Sequence, residues 1–268
     1  MRLQAEQAAV VTGAGSGLGQ ALATELAGRG LRVLVADVDA DAARAVAEQI
    51  GARHAAVDVT DAEALGQLAD HAIDHMGHVE LVVNNAGIVP SPAPMWELDL
   101  ADWRRVVEVD LFGVVHGIRA FVPHLVAAGR GHVVNIASLA GLITTPWSSA
   151  YAIAKHGVVA ASETLRAELD IAGAPVGVTA ACPGYVRTPM VERMRQRLDE
   201  PEWRGQLGEE VHAAAVESLR EILEPDEAAR RVLAAVEADQ LHALPNGDQQ
   251  GGARGRAERV IAAIDAAG

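Results

Sequence analysis

The sequence predicts an α/β fold in which helices cover both faces of a parallel sheet. Short runs of β-branched and aliphatic residues recur along the chain, and each is followed by a stretch long enough for a helix. A glycine-rich turn joins the first run to the first helix. Half of the 268 residues are apolar and 22% are charged, which is enough for a substantial core. We therefore expect one globular domain over residues 1–268.

The strands are predicted from the apolar runs and the helices from the segments between them. In the first helix, Leu18, Ala21, Leu22 and Leu26 follow helical spacing, and Gly30 stands where a C-terminal cap belongs. The longest helices are expected at residues 102–126 and 149–172. The strands are expected at residues 8–11, 31–36, 81–83, 132–136 and 176–181, with a weaker one at 53–57 and a late one at 241–244.

Two segments depart from this alternation of strands and helices. Residues 189–225 place apolar side chains among many charges, which indicates one or two amphipathic helices outside the sheet, and we interpret the segment as a substrate lid. Residues 246–268 begin with a segment rich in Gly, Gln and Asn and continue into a short helix. This C-terminal tail is either an appendage or an element that docks on a neighbouring subunit.

Charge and cysteine content limit the partners and the compartment. The formal net charge of −14 would repel a phosphate backbone or an anionic bilayer, so nucleic acid and membrane surfaces are poor partners. The first seven residues lack a signal-peptide pattern, and no run of large apolar residues is expected to span a bilayer. The single cysteine, Cys182, excludes an internal disulfide and fits a reducing compartment. We expect a cytoplasmic protein.

The glycine-rich turn is a candidate phosphate-binding element. Glycines let the backbone turn tightly and approach a pyrophosphate, whose charge is met by free N–H groups and by the positive end of the helix dipole. An ordinary strand-to-helix turn also uses glycine, but the position between a strand and a helix favours dinucleotide binding. The turn reads Thr12-Gly13-Ala14-Gly15-Ser16-Gly17-Leu18-Gly19.

Asp37, at the end of the second strand, favours NAD over NADP. Its carboxylate is placed to accept hydrogen bonds from the adenosine ribose hydroxyls, whereas a 2′-phosphate would meet like charge there. Ser16 and Val38 stand where a basic residue would otherwise compensate. The alternative is that Asp37 caps the next helix. Asp58 is placed to meet the adenine amino group, with helix capping again as the alternative.

Ser138, Tyr151 and Lys155 form the candidate catalytic set. Tyr151 and Lys155 stand one helical turn apart on one face, and Ser138 follows a strand at the carboxyl edge of the sheet. A tyrosine pKa of about 10 must fall by about 3 pH units for base action near neutrality, which costs about 4 kcal/mol. A lysine ammonium at about 4 Å supplies about 4 kcal/mol at an effective dielectric constant of about 20. Alternatively, Tyr151 merely packs and Lys155 is a solvated charge.

Together these motifs resemble the short-chain dehydrogenase/reductase family, over residues 8–189. The resemblance implies a Rossmann-type, doubly wound sheet of seven parallel strands and a homotetramer or homodimer. It also implies that Tyr151 is the catalytic acid and base, that Lys155 lowers the tyrosine pKa and binds the nicotinamide ribose, and that Ser138 orients the substrate. The motifs are the turn from Thr12 to Gly19, Asp58-Val59, Asn84-Asn85-Ala86-Gly87, Ser138, Tyr151 with Lys155, and Pro183-Gly184-Tyr185-Val186-Arg187-Thr188.

The cofactor-binding residues follow from the turn, from Asp37 and from the resemblance. The resemblance implies that Asn85 and Gly87 flank the cofactor and that Val186 and Thr188 hold the nicotinamide carboxamide. The expected set is Gly13, Ser16, Gly17, Leu18, Gly19, Asp37, Asp58, Val59, Asn85, Ala86, Gly87, Tyr151, Lys155, Pro183, Gly184, Val186 and Thr188.

One position departs from the family pattern. Asp110 occupies a place where many members have an asparagine in a proposed proton relay. A carboxylate there would raise the lysine pKa and oppose phenolate formation. We therefore leave Asp110 outside the catalytic set and expect Asp110→Asn to keep turnover within about tenfold.

The sequence thus predicts an NAD-dependent enzyme that interconverts a secondary alcohol and a ketone. The alternative is a regulatory protein of the same fold that binds the cofactor without turnover. Met95, Trp147, Met190 and Met194 are candidates for an apolar substrate pocket. His71 and His75 have helical spacing, but no carboxylate or cysteine completes a convincing metal site, so no metal is expected.

Overall fold

A parallel sheet lies at the centre of the fold, which confirms the predicted fold class. In the described part of the chain seven strands are arranged in the order β3-β2-β1-β4-β5-β6-β7, and every pair is parallel. The strands are Ala8–Thr12 (β1), Arg32–Asp37 (β2), Arg53–Ala56 (β3), Leu81–Asn84 (β4), Gly131–Ile136 (β5), Val176–Ala181 (β6) and His242–Ala243 (β7). The computed structural model describes residues 1–90, 92–144, 146–198, 200, 209, 212–213, 216–217, 219, 222–247 and 251–267.

Helices cover both faces of the sheet. A single helical stretch, 100–128, replaces the predicted helix 102–126 and is interrupted by a π-helical turn at Glu108–Phe112. A short 3-10 helix, Leu139–Gly141, follows β5. The α-helices are Gly17–Gly28 (α1), Ala40–Ile50 (α2), Ala62–Met76 (α3), Leu100–Val107 (α4), Gly113–Ala128 (α5), Ser149–Ile171 (α6), Pro189–Leu198 (α7), Pro225–Glu237 (α8) and Gly251–Asp265 (α9).

The core divides into two layers because successive strand residues point to opposite faces. On β1, Val11 packs on the side of α1 and α8, whereas Val10 packs on the side of α3, α5 and α6. Both are fully buried, so the strand is apolar throughout rather than alternating. This explains why the strands are visible in the sequence as continuous apolar runs rather than as alternating apolar and polar residues.

The strand order places a cleft between β1 and β4. From β1 the chain proceeds outward to β2 and β3, and it returns to the other side of β1 with β4. The connections therefore diverge from that point, and the carboxyl ends of β1 and β4 leave an open crevice, which is where open α/β sheets bind ligands.

The helical stretch Leu100–Ala128 is long and apolar enough to cross a membrane by length and composition, because an 18-residue window within it has a mean hydropathy of 1.5. From the sequence we expected no long uninterrupted run of large apolar residues, and charged residues such as Arg105 and Glu108 interrupt this stretch. Its inner face supplies Val114, Phe121 and Leu125 to the core, where they are almost fully buried. The same composition is typical of a helix that packs on a sheet.

The predicted lid and tail are described in part. Helix α7 forms the first part of residues 189–225, whereas Trp203, Leu207 and Val211 of the predicted lid lie outside the described residues. In the tail, α9 begins at Gly251, and its apolar residues Val260, Ile261 and Ile264 are all exposed.

His132 is a buried histidine in the middle of the sheet. Its Nε2 lies 2.8 Å from the hydroxyl oxygen of Thr179, and that hydroxyl donates to the carbonyl oxygen of Gln240. Nε2 must therefore carry the proton that it donates to Thr179. Burial lowers the pKa of His132 to about 4, with Asp239 as a weaker opposing influence. The neutral ring is the form that the fold stabilises.

We predict that this ring makes the fold sensitive to acid. An unfolded histidine has a pKa of about 6.5, so the unfolded chain binds a proton that the fold resists. His132 contributes up to about 3 kcal/mol to the free energy of unfolding. This contribution is fully present above about pH 6.5 and is lost as the pH falls through about 4. Urea unfolding at about pH 7 and about pH 4.5 should show a steeper loss for the wild type than for His132→Gln. Equal losses of unfolding free energy in the wild type and in His132→Gln would refute this assignment. The control is His54→Gln, a substitution of an exposed histidine.

Candidate active site

The segments that the sequence singled out meet at the carboxyl edge of the sheet. The glycine-rich turn follows β1, Asn85 to Gly87 follow β4, and Ser138 follows β5. Thr188, in the loop after β6, lies beside the turn, because a Cβ added to Gly17 would stand 3.0 Å from its Cγ2. Four neighbouring strands therefore contribute to one cleft.

The glycines of the turn allow two backbone segments to touch. Gly13 has a φ of +61°, and a Cβ there would stand 2.6 Å from the Cα of Ala86. A Cβ on Gly19 would collide with the carbonyl oxygen of Gly13. Side chains at these positions would therefore push the turn away from the segment after β4.

The N-terminus of α1 has unsatisfied donors that face this turn. Ser16 is the N-cap residue, but its side chain makes no capping hydrogen bond, and the first turn of α1 holds no acidic residue. By contrast, Asp39, Asp61 and Asp99 cap α2, α3 and α4. The free N–H groups and the helix dipole fit a pyrophosphate.

Asn85 holds the turn in place. Its side-chain amide donates to the carbonyl oxygens of Thr12 and Gly13, at 2.9 and 3.0 Å. The hydroxyl of Thr12 accepts from the backbone N–H of Asn85 at 3.0 Å. The side-chain amide of Asn85 is thus occupied by hydrogen bonds within the protein, and this residue fixes the shape of the glycine-rich turn.

Asp37 is held at the edge of the turn rather than at the start of a helix. Its carboxylate accepts from the N–H of Gly15 at 2.8 Å and from the N–H of Asp39 at 3.0 Å. The cap of α2 is Asp39, so the capping alternative for Asp37 is wrong. The half-buried carboxylate stands beside the glycine turn, where a ribose bound to that turn would lie.

Asp58 and Val59 have different environments. Asp58 is exposed and accepts from the N–H and hydroxyl groups of Thr60, whereas α3 is capped by Asp61, so Asp58 is not the helix cap either. Val59 is buried: its side chain lies against Gly113, and its carbonyl oxygen accepts from His116. Of this pair, only Asp58 has a side chain exposed to solvent.

Ser138, Tyr151 and Lys155 are brought together. Ser138 begins the short 3-10 helix after β5, accepts from the N–H of Ala140 and donates to the carbonyl oxygen of Pro183. A hydrogen bond also links it to Tyr151. The ammonium of Lys155 lies 5.6 Å from the centre of the Tyr151 ring. The alternative that Lys155 is a solvated surface charge is wrong, because the residue is 3% exposed.

Lys155 is held by a buried ion pair that sequence reasoning underrated. Its Nζ donates to the carbonyl oxygen of Ile136 at 3.0 Å and lies 3.2 Å from Oδ2 of Asp110. Asp110 is fully buried, and its other oxygen accepts from the N–H of Ile88 at 2.8 Å. Burial raises the pKa of Asp110, and Lys155 opposes that rise. Oδ2 of Asp110 lies at ion-pair distance from the Lys155 ammonium without a hydrogen bond of good geometry, so the contact between the two side chains is electrostatic.

The electrostatic balance at Tyr151 differs from the sequence estimate. Burial is the largest influence and raises the pKa of Tyr151, Lys155 lowers it, Asp110 raises it, and the hydrogen bond with Ser138 lowers it. The pKa is raised overall, whereas the estimate from Lys155 alone predicted a large fall. The estimate failed because it included neither burial nor the carboxylate beside the ammonium.

The loop after β6 is fixed by Asn246, which the sequence analysis assigned to the tail. The side-chain oxygen of Asn246 accepts from the N–H of Gly184 at 3.0 Å, and its amide donates to the carbonyl oxygen of Tyr185 at 3.1 Å. Asn246 is 7% exposed, and Val186 turns its side chain into the core. The sequence carries no local signal for this role, because the asparagine is recognised by its burial and by its hydrogen bonds to a distant loop.

An apolar cavity of about 690 Å³ lies beside the start of α6. Two of the four candidates for the substrate pocket, Met95 and Trp147, line this cavity, whereas Met190 and Met194 do not. The other lining residues are Pro94, Trp96, Glu97, Pro146 and Ser149. A second cavity, of about 570 Å³, lies near His132 at the opposite edge of the sheet, away from Tyr151. Within the described residues, no group of three or more His, Cys, Asp or Glu could hold a metal ion.

Comparisons with known proteins identify relatives along most of the chain. The family model described as short chain dehydrogenase matches residues 7–199. A 1-deoxy-11-beta-hydroxypentalenate dehydrogenase of Streptomyces exfoliatus is 44% identical over 199 residues, which are 72% of this chain and 71% of the relative. A cis-4-hydroxycyclohexanecarboxylate dehydrogenase of Sinomonas cyclohexanicum is 43% identical over 194 residues, covering 70% of this chain and 76% of the relative.

A solved structure shows the same fold along almost the whole chain. The crystal structure of a short chain dehydrogenase/reductase from Burkholderia phymatum in complex with NAD superposes with a TM-score of 0.84. The two chains are 32% identical, and the match covers 97% of this chain and 96% of the other.

We predict that Gly13→Ala destabilises the protein and weakens the binding of a dinucleotide. The new methyl group would meet the Ala86 backbone at 2.6 Å in a backbone conformation that alanine adopts only under strain, which costs about 1–3 kcal/mol. Thermal unfolding with and without NAD measures both effects. The matched control is Gly66→Ala on α3, where the new methyl group has no neighbour within 4 Å and should stabilise by up to about 1 kcal/mol. A Gly13→Ala protein as stable as the wild type would contradict the assigned contact.

Proposed function

The chain belongs to the short-chain dehydrogenase family, and we propose that it is an NAD-dependent enzyme that interconverts a secondary alcohol and a ketone. Its named relatives are dehydrogenases of hydroxyl groups, so the protein is an oxidoreductase that acts on CH–OH groups. The observation that carries the finer proposal is the contact between Ser138, Tyr151 and Lys155 at the edge of the cleft that holds the glycine turn.

The residues of the cleft fit a dinucleotide from end to end. The backbone N–H groups of the glycine turn would bind the pyrophosphate, and Asp37 would accept from the adenosine ribose. Asp58 would meet the adenine, Lys155 and Tyr151 the nicotinamide ribose, and the loop from Pro183 to Thr188 the carboxamide. When bound, the nicotinamide accepts a hydride from the carbinol carbon or returns one to the carbonyl carbon.

The Asp37 carboxylate supports NAD as the cofactor. Its two oxygens already accept from backbone N–H groups, so the side chain is fixed beside the ribose site. The next residue, Val38, is exposed and apolar, and Ser16 is exposed and neutral. No cation at these positions offsets the repulsion that a 2′-phosphate would meet.

The chain's own residues move and position the proton. Tyr151 takes the hydroxyl proton of the alcohol in oxidation and returns it in reduction. Ser138, whose hydroxyl is oriented by Ala140 and Pro183, hydrogen-bonds the substrate oxygen and holds it near the phenol. Lys155 stabilises the phenolate that forms.

The apolar cavity beside α6 supports a cyclic, largely apolar substrate. Relatives are named as dehydrogenases of a hydroxypentalenate, of a hydroxycyclohexanecarboxylate and of cyclohexanol. Of the cavity walls that the structure describes, Met95, Trp96 and Trp147 are the large apolar residues, and Glu97 is the charged one. These walls fit a hydrocarbon ring, and residues 189–225 would close over it as a lid.

The alternative is a regulatory protein that binds the cofactor without turnover. A protein that only binds would not require the buried ion pair beneath a tyrosine and a serine. Absorbance of NADH with a panel of cyclic secondary alcohols separates the two functions: cofactor binding with no NADH formed would favour the regulatory protein.

We also propose that the chain forms a homodimer or homotetramer and is cytoplasmic. Exposed apolar side chains on the π turn and the helices around it support self-association, among them Phe112, Val126 and Ile153. The net charge of −14 argues against nucleic acid and anionic membranes as partners. Light scattering on the purified protein measures the subunit number.

We predict that Tyr151→Phe lowers turnover by about 10²–10⁴-fold, which is the range that general acid–base catalysis contributes. The ring remains in place and only the hydroxyl is lost, so NAD should still bind with an affinity close to that of the wild type. Initial rates with cyclohexanol and fluorescence titration with NADH measure the two quantities. Tyr185→Phe is the matched control and should lose less than tenfold. Unchanged turnover in Tyr151→Phe would overturn the proposed function.

We predict that the double variant Asp37→Ser, Val38→Arg shifts the preference from NAD towards NADP. Removing the carboxylate relieves the repulsion of a 2′-phosphate, and the arginine supplies a bidentate partner. The ratio of kcat/KM for NADP to that for NAD should rise by at least about 100-fold, since about 3 kcal/mol separates repulsion from attraction at such a site. A ratio that stays constant would show that Asp37 does not face the ribose.

A further inference from the structure

We propose that Asp110 is a positioning residue that balances the charge of Lys155, so that Tyr151 gives up its proton readily only once the oxidised cofactor adds a positive charge to the cleft. This inference rests on the proposed function and deepens it. It makes the tyrosine a base that is switched on by cofactor binding rather than by the lysine alone.

The geometry of the pair carries the argument. Asp110 and Lys155 are 0% and 3% exposed, and their charged atoms lie 3.2 Å apart. Water therefore screens these two charges much less than it would screen charges on the surface. At the phenol, the attraction of an ammonium for a phenolate is offset by the repulsion from a carboxylate. The pair as a whole brings no net charge to the tyrosine.

The other groups around Tyr151 do not supply the missing positive charge. Ser138, at the end of β5, contributes a neutral hydrogen bond. Cys182, at the end of β6, remains a neutral thiol because burial raises its pKa to about 12. Tyr185, in the loop after β6, is a second phenol whose pKa is raised by burial. Among the described neighbours that influence Tyr151, Lys155 is the one cation, and Asp110 neutralises it.

The π-helical turn is what delivers the carboxylate. Glu108–Phe112 inserts an extra residue into the helical stretch, and Asp110 is the fully buried side chain within it. A Cβ on Gly87 would stand 3.2 Å from Oδ2 of Asp110 and 3.4 Å from Nζ of Lys155. The ion pair thus lies directly beneath the segment that would flank the nicotinamide. A positive charge bound there would act on the phenol from the open side of the cleft.

The composition of the chain permits a direct test on the free protein. It has two tyrosines, so Tyr185→Phe leaves Tyr151 as the sole phenol. The ultraviolet absorbance of tyrosinate is titrated with pH in this background, with and without Asp110→Asn, and circular dichroism confirms the fold at each pH. Asparagine keeps the shape and the acceptor for Ile88 but removes the charge. The matched control is Glu108→Gln, an exposed carboxylate of the same turn.

We expect Asp110→Asn to move the ionisation of Tyr151 to lower pH and Glu108→Gln to leave it in place. The protein that carries only Tyr185→Phe could unfold before Tyr151 ionises. In that case the protein that also carries Asp110→Asn must form tyrosinate below the unfolding pH, while it is still folded. Coincident midpoints, or a midpoint moved to higher pH, would overturn the proposal.

The rate of oxidation gives an independent readout. The acid limb of kcat/KM against pH should shift to lower pH in Asp110→Asn, while kcat on the plateau stays within about tenfold of the wild type. A decrease of kcat/KM by the same factor at every pH would indicate a purely structural role for Asp110 and would overturn the proposal. The titration of the free protein does not require turnover. A Tyr151→Phe protein that remains active would therefore defeat the proposed function while leaving the titration result intact.

Discussion

The buried ammonium of Lys155 is the interaction on which the cleft depends. Three elements hold it: the end of β5 through the carbonyl of Ile136, the π turn through Asp110, and α6, which carries both Lys155 and Tyr151. Leaving one partner of such a pair alone costs about 3–5 kcal/mol, so the positions of these elements are coupled. Gly141 permits the same arrangement, since a Cβ there would stand 2.6 Å from the carbonyl oxygen of Lys155.

A second network of buried polar side chains stabilises the strands that position the site. Asn84 on β4 donates to Asn135 on β5, and Asn135 donates to Ser162 on α6. These residues link the strand before the cofactor segment, the strand before Ser138 and the helix of Tyr151. The site is thus preorganised by hydrogen bonds in the core as well as by the ion pair.

The sequence was sufficient to predict the sheet, and it singled out Ser138, Tyr151 and Lys155, which the structure brings together. Apolar strand runs are readable because both faces of the sheet are covered, and Gly13 and Lys155 stand in local patterns of fixed spacing. The role of Asn246 was not predictable in this way, because it acts on Gly184 across 62 positions of the chain. The sequence predicted that Asp110 would oppose phenolate formation, but it did not predict the full charge balance at Tyr151. That balance depends on burial and on a π turn that places Asp110 against Lys155, and neither has a periodic signature.

The central claim is that the phenol of Tyr151 exchanges a proton with the substrate oxygen in this charge-balanced cleft. A crystal structure with NAD and an unreactive cyclic alcohol analogue tests it most directly. The account predicts the phenol and the hydroxyl of Ser138 both within about 3.2 Å of the analogue's oxygen, and Lys155 in contact with the nicotinamide ribose. A phenol directed away from the analogue, with its oxygen bound elsewhere, would contradict the account.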